Sequence, residues 1–310
     1  MNITSLNEQF GHPEYLVFET DNHGQARVRL STARSNLTLY LQGAQITSCF
    51  LPAASEPQYP VADDLFWVSK SSVYTKGKSI RGGIPICWPW FGPHERPQDR
   101  PQHGFARTSE FMVTSASVGN ERSQITLKMT RALPTFPEWQ LADAPGVDCE
   151  VRITLSEQLR MILTTTNHLA HNIEVGSALH SYFLVSDVSQ IQVPELQGIE
   201  YLDKLQAYKV LVQDQPLQVD REVDRVFRHP PACISLIDPG LGRTIRIETT
   251  GTRNLVVWNP WTETARAMRD LDDDGYPHMI CLEPANALDQ VQSLMPGEQH
   301  QLSQTISLTQ

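Results

Sequence analysis

The sequence has few cysteines and spaces them widely. Five occur among 310 residues, and no two of them form a CxxC pair. An odd number of scattered cysteines disfavours both a zinc motif and a disulfide framework. Such cysteines are typical of a reducing compartment. The five residues are Cys49, Cys87, Cys149, Cys233 and Cys281.

Long apolar runs are also missing. No stretch approaches the roughly 18 apolar residues of a membrane helix, and residues 1–20 lack the basic start and apolar run of a signal peptide. The formal net charge of −10 makes nucleic acid and anionic membranes poor partners. We therefore expect a cytoplasmic protein. A small anionic ligand stays compatible with this charge, because clustered arginines outweigh the average field at short range.

Helical periodicity is scarce, and alternation of apolar and polar residues replaces it. Thr262–Leu271, after the Pro260 turn, is the one segment that predicts a short helix. The short alternating runs are typical of half-buried strands in antiparallel sheets. We predict an all-β fold, a large antiparallel β-sandwich with few short helices, as a single domain over residues 1–310. A split into two domains is the alternative, although no boundary marks it. The clearest alternating runs are Arg27–Leu30, Leu37–Leu41, Ile125–Met129, Val151–Leu155, Thr244–Ile247 and Ile306–Leu308.

The segment Lys78–Arg107 combines many prolines with aromatic residues. Its prolines, four residues apart, exclude a regular helix or central strand. A long structureless segment in a compact domain is usually functional, but a surface loop packed by its own aromatics is the alternative. Whether its aromatics line a site or the core stays open. The prolines are Pro85, Pro89, Pro93, Pro97 and Pro101, and the aromatics in question are Trp88, Trp90 and Phe91.

Charged and titratable residues stand out at four places. Arg81 and Arg107 bound the proline-rich segment and could grip a phosphate or carboxylate together, or form surface salt bridges. His180 shares a strand face with apolar neighbours, which fits a core histidine or an acid–base catalyst. Glu283 ends an apolar strand just before Pro284, which fits a paired structural carboxylate or a tuned base.

Six motifs in this order carry a resemblance that covers residues 78–286. They are RGGIPICWPWFGP, QHGFAR, LHSYF, YLDK, WNPW and CLEPAN. With them the sequence resembles the hexose-6-phosphate mutarotases (glucose-6-phosphate 1-epimerases) of the aldose 1-epimerase, or galactose mutarotase-like, superfamily. The resemblance implies a β-sandwich with a sugar cleft and no metal or organic cofactor. It implies that His180 and Glu283 are catalytic and that the substrate-binding residues are Arg81, Gln102, Arg107, Asp203 and, beside Gln102, His103.

The function that this resemblance implies is interconversion of the anomers of a hexose 6-phosphate, glucose 6-phosphate first. Glu283 would act as general base and His180 as general acid, while Arg81 and Arg107 hold the phosphate. The alternatives are a mutarotase for unphosphorylated aldoses and a non-catalytic sugar-binding or regulatory protein on the same fold. We expect a monomer. The acidic run at residues 270–275 is interpreted as a solvated turn without a role in the site.

Overall fold

The computed structural model describes residues 2–52, 63–94, 100–130, 139–141 and 144–309. The described helices are α1 (Ile3–Phe10) and α2 (Trp261–Ala267). The strands up to residue 155 are β1 (Leu16–Thr20), β2 (Ala26–Ser31), β3 (Asn36–Tyr40), β4 (Gln45–Phe50), β5 (Ile86–Cys87), β6 (Phe111–Ser117), β7 (Ser123–Met129), β8 (Gln140–Leu141), β9 (Ala144–Pro145) and β10 (Val147–Leu155).

The remaining strands lie between residues 159 and 309. They are β11 (Leu159–Asn167), β12 (Ile173–Val175), β13 (Ser177–Leu179), β14 (Tyr182–Leu184), β15 (Glu200–Asp203), β16 (Lys209–Val212), β17 (Val223–Arg228), β18 (Cys233–Asp238), β19 (Arg243–Thr250), β20 (Asn254–Asn259), β21 (Met279–Asn286), β22 (Gln292–Leu294) and β23 (Gln299–Thr309).

The sheets are antiparallel and stack face to face. One has seven strands in the order β18-β19-β23-β11-β10-β7-β6, and the other follows the order β16-β15-β17-β20-β21-β13-β5, with β14 also paired to β21. A four-stranded sheet, β1 to β4, and two hairpin-like pairs, β12–β22 and β8–β9, complete the fold. Leu282 of β21 and Leu302 of β23 lie in one buried cluster between the large sheets. The predicted antiparallel β-sandwich is confirmed.

The apolar and polar residues that alternate in the sequence lie on opposite faces of the strands. In β10, Val151, Ile153 and Leu155 are fully buried while Arg152 between them is exposed. Side chains in a strand alternate between faces, so the apolar set packs into the core and the polar set faces water. Burial of each such aliphatic side chain stabilises the fold by roughly 1.5–3 kcal/mol.

The helices differ from the prediction. The predicted helix after Pro260 forms, but it ends at Ala267 rather than at Leu271. Helix α1 was not predicted from the sequence, although its cap is visible there, because the Asn2 side chain accepts a hydrogen bond from the Thr4 amide. Neither described helix has the length or apolar character to span a bilayer.

Strand β21 positions the site because it is buried on both faces. Ile280 and Leu282 belong to the main core between the sheets. Cys281 and Glu283 alternate with them and therefore lie on the opposite face. There Cys281 packs in a second, smaller cluster with Trp67 and Tyr182. A carboxylate thus stands on the outer face of a central strand, at 1 % exposure.

Candidate active site

A cavity of about 300 Å³ opens on the outer face of the β21 sheet. It gathers residues from the proline-rich segment, from the β13–β14 connection and from strands β17, β20 and β21. Six of the seven predicted site residues lie at or beside it, and Asp203 is the one that does not line it. Its lining comprises Arg81, Phe91, Gln102, His103, Arg107, His180, Lys204, Glu222, Asp224, Val256, Trp258, Thr264, Met268 and Glu283.

The two predicted catalytic residues meet at the inner end of the cavity. His180 Nδ1 lies 3.3 Å from Glu283 Oε1, and both side chains are almost completely buried. Neither His180 Nδ1 nor Glu283 Oε2 has a hydrogen-bond partner among the described residues. Buried polar atoms are normally satisfied, so these two need an explanation, and a polar ligand in the adjoining cavity would supply their missing hydrogen bonds.

Burial shifts the pKa values of this pair in opposite directions. It raises the pKa of Glu283 well above its usual value, with Lys204 opposing and Asp224 adding to the shift. It lowers the pKa of His180 well below its usual value, and His103, Arg81 and Arg107 add to this effect. The low-dielectric site disfavours both charged forms. The buried site therefore favours the neutral forms of both groups, a protonated Glu283 carboxyl and an uncharged His180 imidazole.

Aromatic rings fix the orientation of the imidazole. His180 stacks on Tyr182 with ring centroids 4.8 Å apart and planes 8° apart. Trp258 meets the His180 ring edge-on at 6.1 Å, and the His180 amide donates to the Pro85 carbonyl. His180 lies between β13 and β14 rather than within a strand, and its ring nevertheless packs on that of Tyr182. Tyr182 and Trp258 were not predicted as site residues, because strand aromatics are more often simply core.

Arg81 is not a free cation. Its guanidinium binds both carboxylate oxygens of Asp270 and donates to the Tyr182 hydroxyl at 2.9 Å. Burial alone would lower the Arg81 pKa, but Tyr182 and Asp270 more than offset this and raise it. The interpretation of residues 270–275 as a solvated turn without a role is therefore wrong. Asp272, in the same run, accepts hydrogen bonds from the Lys70 and Ser71 amides.

The two glycines after Arg81 serve the fold rather than a ligand. Gly82 and Gly83 have φ angles of +121° and +65°. A Cβ on Gly83 would lie 2.0 Å from the Ile46 carbonyl oxygen, and one on Gly82 would lie 2.4 Å from the Trp67 carbonyl oxygen. Only glycine permits this backbone approach. These two glycines therefore allow backbone to pack closely on backbone.

Arg107 stands at the outer end with fewer partners. Its guanidinium donates to the Gln102 carbonyl at 2.8 Å, and the described structure gives it no carboxylate partner within salt-bridge distance. His103 accepts from the Gly92 amide through Nδ1 at 3.2 Å. Burial, together with Arg107 and other nearby cations, lowers the pKa of His103 to about 3, so this imidazole is neutral. The outer end therefore presents a neutral histidine, an amide and a cation.

A second ion pair borders the catalytic pair. Lys204 Nζ lies 2.6 Å from Asp224 Oδ2, and Asp224 Oδ1 has no partner among the described residues. Asp203 instead caps the turn that carries Lys204, accepting from the Leu205 amide and the Gln206 side chain. Sequence reasoning placed Asp203 in the site, but its neighbour Lys204 and the unpredicted Asp224 line the cavity.

The aromatic residues of the proline-rich segment divide between core and site. Trp88 is fully buried and donates from Nε1 to the Thr165 hydroxyl at 3.0 Å. Phe91 lines the cavity and meets His103 at 4.8 Å. Trp90 is partly buried and packs against the main core. The only strand among the segment's described residues is the two-residue β5, at the edge of its sheet, so the predicted absence of a regular helix or central strand holds there. Pro97 lies outside the described residues.

One group of side chains in the described structure could hold a metal ion. His180, Cys281 and Glu283 offer ligand atoms that all lie within 4.8 Å of one another. No sequence motif announced this group, since about a hundred residues separate His180 from the other two. Strand pairing between β14 and β21 brings them together.

Comparison with known proteins decides the family. The family model for aldose 1-epimerase matches residues 26–307. The chain belongs to the aldose 1-epimerase family. Two relatives share the name "Putative glucose-6-phosphate 1-epimerase". The one from Cenchrus ciliaris is 32% identical over 290 residues, 89% of this chain and 82% of the relative. The one from Escherichia coli K12 is 32% identical over 255 residues, 80% of this chain and 78% of the relative.

The fold of this aldose 1-epimerase family member also has solved counterparts. A crystal structure of a "putative mutarotase" from Salmonella typhimurium superposes with a TM-score of 0.83 at 27% identity, covering 95% of this chain and 93% of that one. The galactose mutarotase-like fold predicted from the motifs is confirmed. It is similar as well, at 16% identity and a TM-score of 0.67, to a galactose mutarotase-like protein from Lactobacillus casei.

Proposed function

We propose that this chain interconverts the α and β anomers of a hexose 6-phosphate, with glucose 6-phosphate as the first substrate to test. The observation that carries the proposal is the 3.3 Å approach of His180 Nδ1 and Glu283 Oε1 in a cavity that also contains Arg107. The names of the 32% identical relatives support the same substrate. The fold alone would not support this substrate, because proteins of one fold have many different functions.

The chemistry requires a base and an acid on neighbouring oxygens. A cyclic hemiacetal opens when the C1 hydroxyl loses a proton while the ring oxygen gains one. Rotation about C1–C2 and reclosure then give the other anomer. Glu283 is assigned as the base and His180 as the acid, and the roles reverse on closure. Each positioned acid or base contributes roughly 10²–10⁴-fold, enough for a reaction that already proceeds in water.

The number of protons carried by the buried Glu283–His180 pair fits this scheme. A protonated Glu283 with a neutral His180 carries the same number of protons as a carboxylate with an imidazolium. The two forms differ only in which residue carries the proton, so converting one into the other leaves the net charge of the pair unchanged. Substrate hydroxyls that hydrogen-bond to Glu283 Oε2 would favour the carboxylate, since hydrogen bonds to a charged form stabilise it.

The phosphate is assigned to the outer end of the cavity. Arg107 has donor capacity left after its bond to the Gln102 carbonyl, and guanidinium groups bind phosphate through two parallel hydrogen bonds. Arg81, already bound by Asp270, contributes through its charge and through Tyr182. Asp224 and Lys204 are placed to bind sugar hydroxyls.

The proposal also includes a single-domain monomer in the cytoplasm that requires no cofactor. All five cysteines are free, and four of them are buried. Free cysteines are typical of a reducing compartment. The net charge of −10 argues against a nucleic-acid partner.

The experiment is a comparison of mutarotation rates for glucose 6-phosphate and glucose, followed by magnetisation exchange between the two anomers. We expect kcat/KM for the phosphorylated sugar to exceed that for glucose. Equal values would overturn the phosphate assignment in favour of a free-aldose mutarotase. Binding of either sugar without acceleration would favour the non-catalytic alternative.

A further inference from the structure

We propose that His180, Cys281 and Glu283 bind one soft divalent cation of the zinc class, and that the bound cation inhibits the enzyme by occupying its acid–base pair. The metal site stands on geometry alone. The inhibition rests on the proposed function, because it assumes that His180 and Glu283 are the catalytic pair.

The geometry suits tetrahedral coordination. Zinc bonds to nitrogen and oxygen ligands of about 2.0–2.2 Å place two such ligands about 3.3–3.5 Å apart along a tetrahedron edge. His180 Nδ1 and Glu283 Oε1 are 3.3 Å apart. Cys281 precedes Glu283 by two residues on β21, so the two side chains share a strand face. The ligand atoms of the three residues all lie within 4.8 Å of one another. A zinc–thiolate bond of about 2.3 Å places the sulfur about 3.5–3.7 Å from the other ligands, so a small side-chain adjustment accompanies binding.

The hydrogen-bonding state of the ligands also points to a cation. His180 Nδ1, one of the two atoms of the 3.3 Å contact, is buried without a partner among the described residues, and so is the second carboxylate oxygen of Glu283, Oε2. A hydrogen bond that already occupied these lone pairs would have to be broken first. Here no such bond opposes coordination.

Charge balance favours the cation in this buried place. One thiolate and one carboxylate neutralise a divalent ion, and the imidazole completes a neutral unit. On binding, the Cys281 S–H bond is replaced by a sulfur–metal bond and the proton passes to solvent, as does any proton on Glu283. His180 and Glu283 line the cavity, whereas Cys281 lies behind them. The cation therefore enters through the cavity and leaves its fourth position facing the substrate space.

The combination of ligands selects a soft ion. Magnesium and calcium prefer oxygen ligands, whereas a sulfur, nitrogen and oxygen set suits zinc, cobalt and cadmium. A search for closely spaced cysteines and histidines misses this site, because the fold rather than the spacing assembles it.

The test is titration of the purified full-length protein with Co²⁺ and Zn²⁺ in a buffer free of phosphate and chelators. We expect one Co²⁺ per chain with a thiolate-to-cobalt absorption band in the near ultraviolet, and loss of that band on addition of glucose 6-phosphate. Cys281→Ser and Cys281→Ala should remove the band. Each should also weaken Zn²⁺ inhibition, relative to that variant's own metal-free rate, by at least about tenfold, the lower end of the cost of losing even an indirect metal contact.

Cys233→Ser is the matched control, because Cys233 is the most accessible of the five thiols. It should keep both the band and the inhibition. A band that disappears in Cys233→Ser, or that is absent from the wild-type protein, overturns the site. Zn²⁺ inhibition that is unchanged in Cys281→Ser overturns it as well. If the protein proves inactive on every sugar, the cobalt spectrum still decides the metal site, so failure of the proposed function is distinguishable.

Discussion

Two neighbouring parts of the cavity differ in how their polar groups are partnered. At the inner end, Glu283 and His180 are buried, 3.3 Å apart, and each keeps an unpartnered polar atom. The Arg81 guanidinium, in contrast, already binds Asp270 and Tyr182 in the absence of substrate. The unpartnered atoms belong to the residues assigned to proton transfer. The partnered guanidinium belongs to a residue that holds the surrounding structure in place. The predictions below test this contrast.

The largest effect is expected from Glu283→Gln. This change keeps the shape of the side chain but removes the base, so kcat for glucose 6-phosphate should fall by roughly 10²–10⁴-fold. KM should change little, since the amide still accepts a hydrogen bond. The measurement is steady-state mutarotation.

Glu222→Gln is the control for that variant. Glu222 also lines the cavity, but its carboxylate accepts from the Thr264 hydroxyl instead of facing His180. Its kcat should remain within a few-fold of wild type. If the Glu283 variant keeps wild-type turnover, or if both variants lose it equally, the inner end is not the centre of the chemistry.

Alanine substitutions at Arg107 and Arg81 should have smaller effects, and the two should differ in kind. Arg107→Ala should raise KM for glucose 6-phosphate about 10- to 100-fold, the equivalent of a charged hydrogen bond worth about 1.5–3 kcal/mol. Its rate with glucose should be nearly unchanged. Arg81→Ala should instead also destabilise the fold, because Asp270 and the buried Tyr182 hydroxyl lose their partner.

The double variant Arg81→Ala/Asp270→Ala sharpens this distinction. If Arg81 is mainly part of the frame, removing both members of the pair should recover part of the melting temperature lost in Arg81→Ala. Thermal unfolding measures this recovery. A wild-type melting temperature in Arg81→Ala, combined with a raised KM alone, would make Arg81 a direct phosphate ligand like Arg107.

The pH dependence tests the buried pair without mutation. Burial lowers the pKa of His180 and raises that of Glu283, so the pair keeps its single proton across neutral pH. As the pH falls through the ordinary histidine pKa of about 6.5, kcat should therefore stay level, and it should fall only when the pair takes up a second proton at lower pH. We compare kcat rather than kcat/KM because a phosphate monoester itself titrates near about pH 6. A kcat that halves near pH 6.5 would show an ordinary, solvated histidine.

The sequence predicted those parts of the molecule that depend on local pattern or on long motifs. Alternation located strands such as β10, because a half-buried strand must alternate. The motifs located His180 and Glu283, because their neighbours are distinctive. The bond between Arg81 and Asp270 joins residues 189 positions apart, and nothing near either residue announces it. Asp224 was missed for the same reason, since its role depends on which strand β20 pairs with.

The smallest effect concerns Asp203, which the motifs placed in the site and the structure places under the Lys204 turn. Asp203→Ala removes the cap of that turn, so stability should fall by about 0.5–2 kcal/mol, as for other lost caps. KM for glucose 6-phosphate should change less than in Asp224→Asn, because Asp224 lines the cavity and Asp203 does not. Thermal unfolding and steady-state kinetics on both variants measure the two quantities. A larger KM change in Asp203→Ala would mean that its carboxylate leaves the turn to bind the sugar, and the substrate-binding role implied by the motif would then stand.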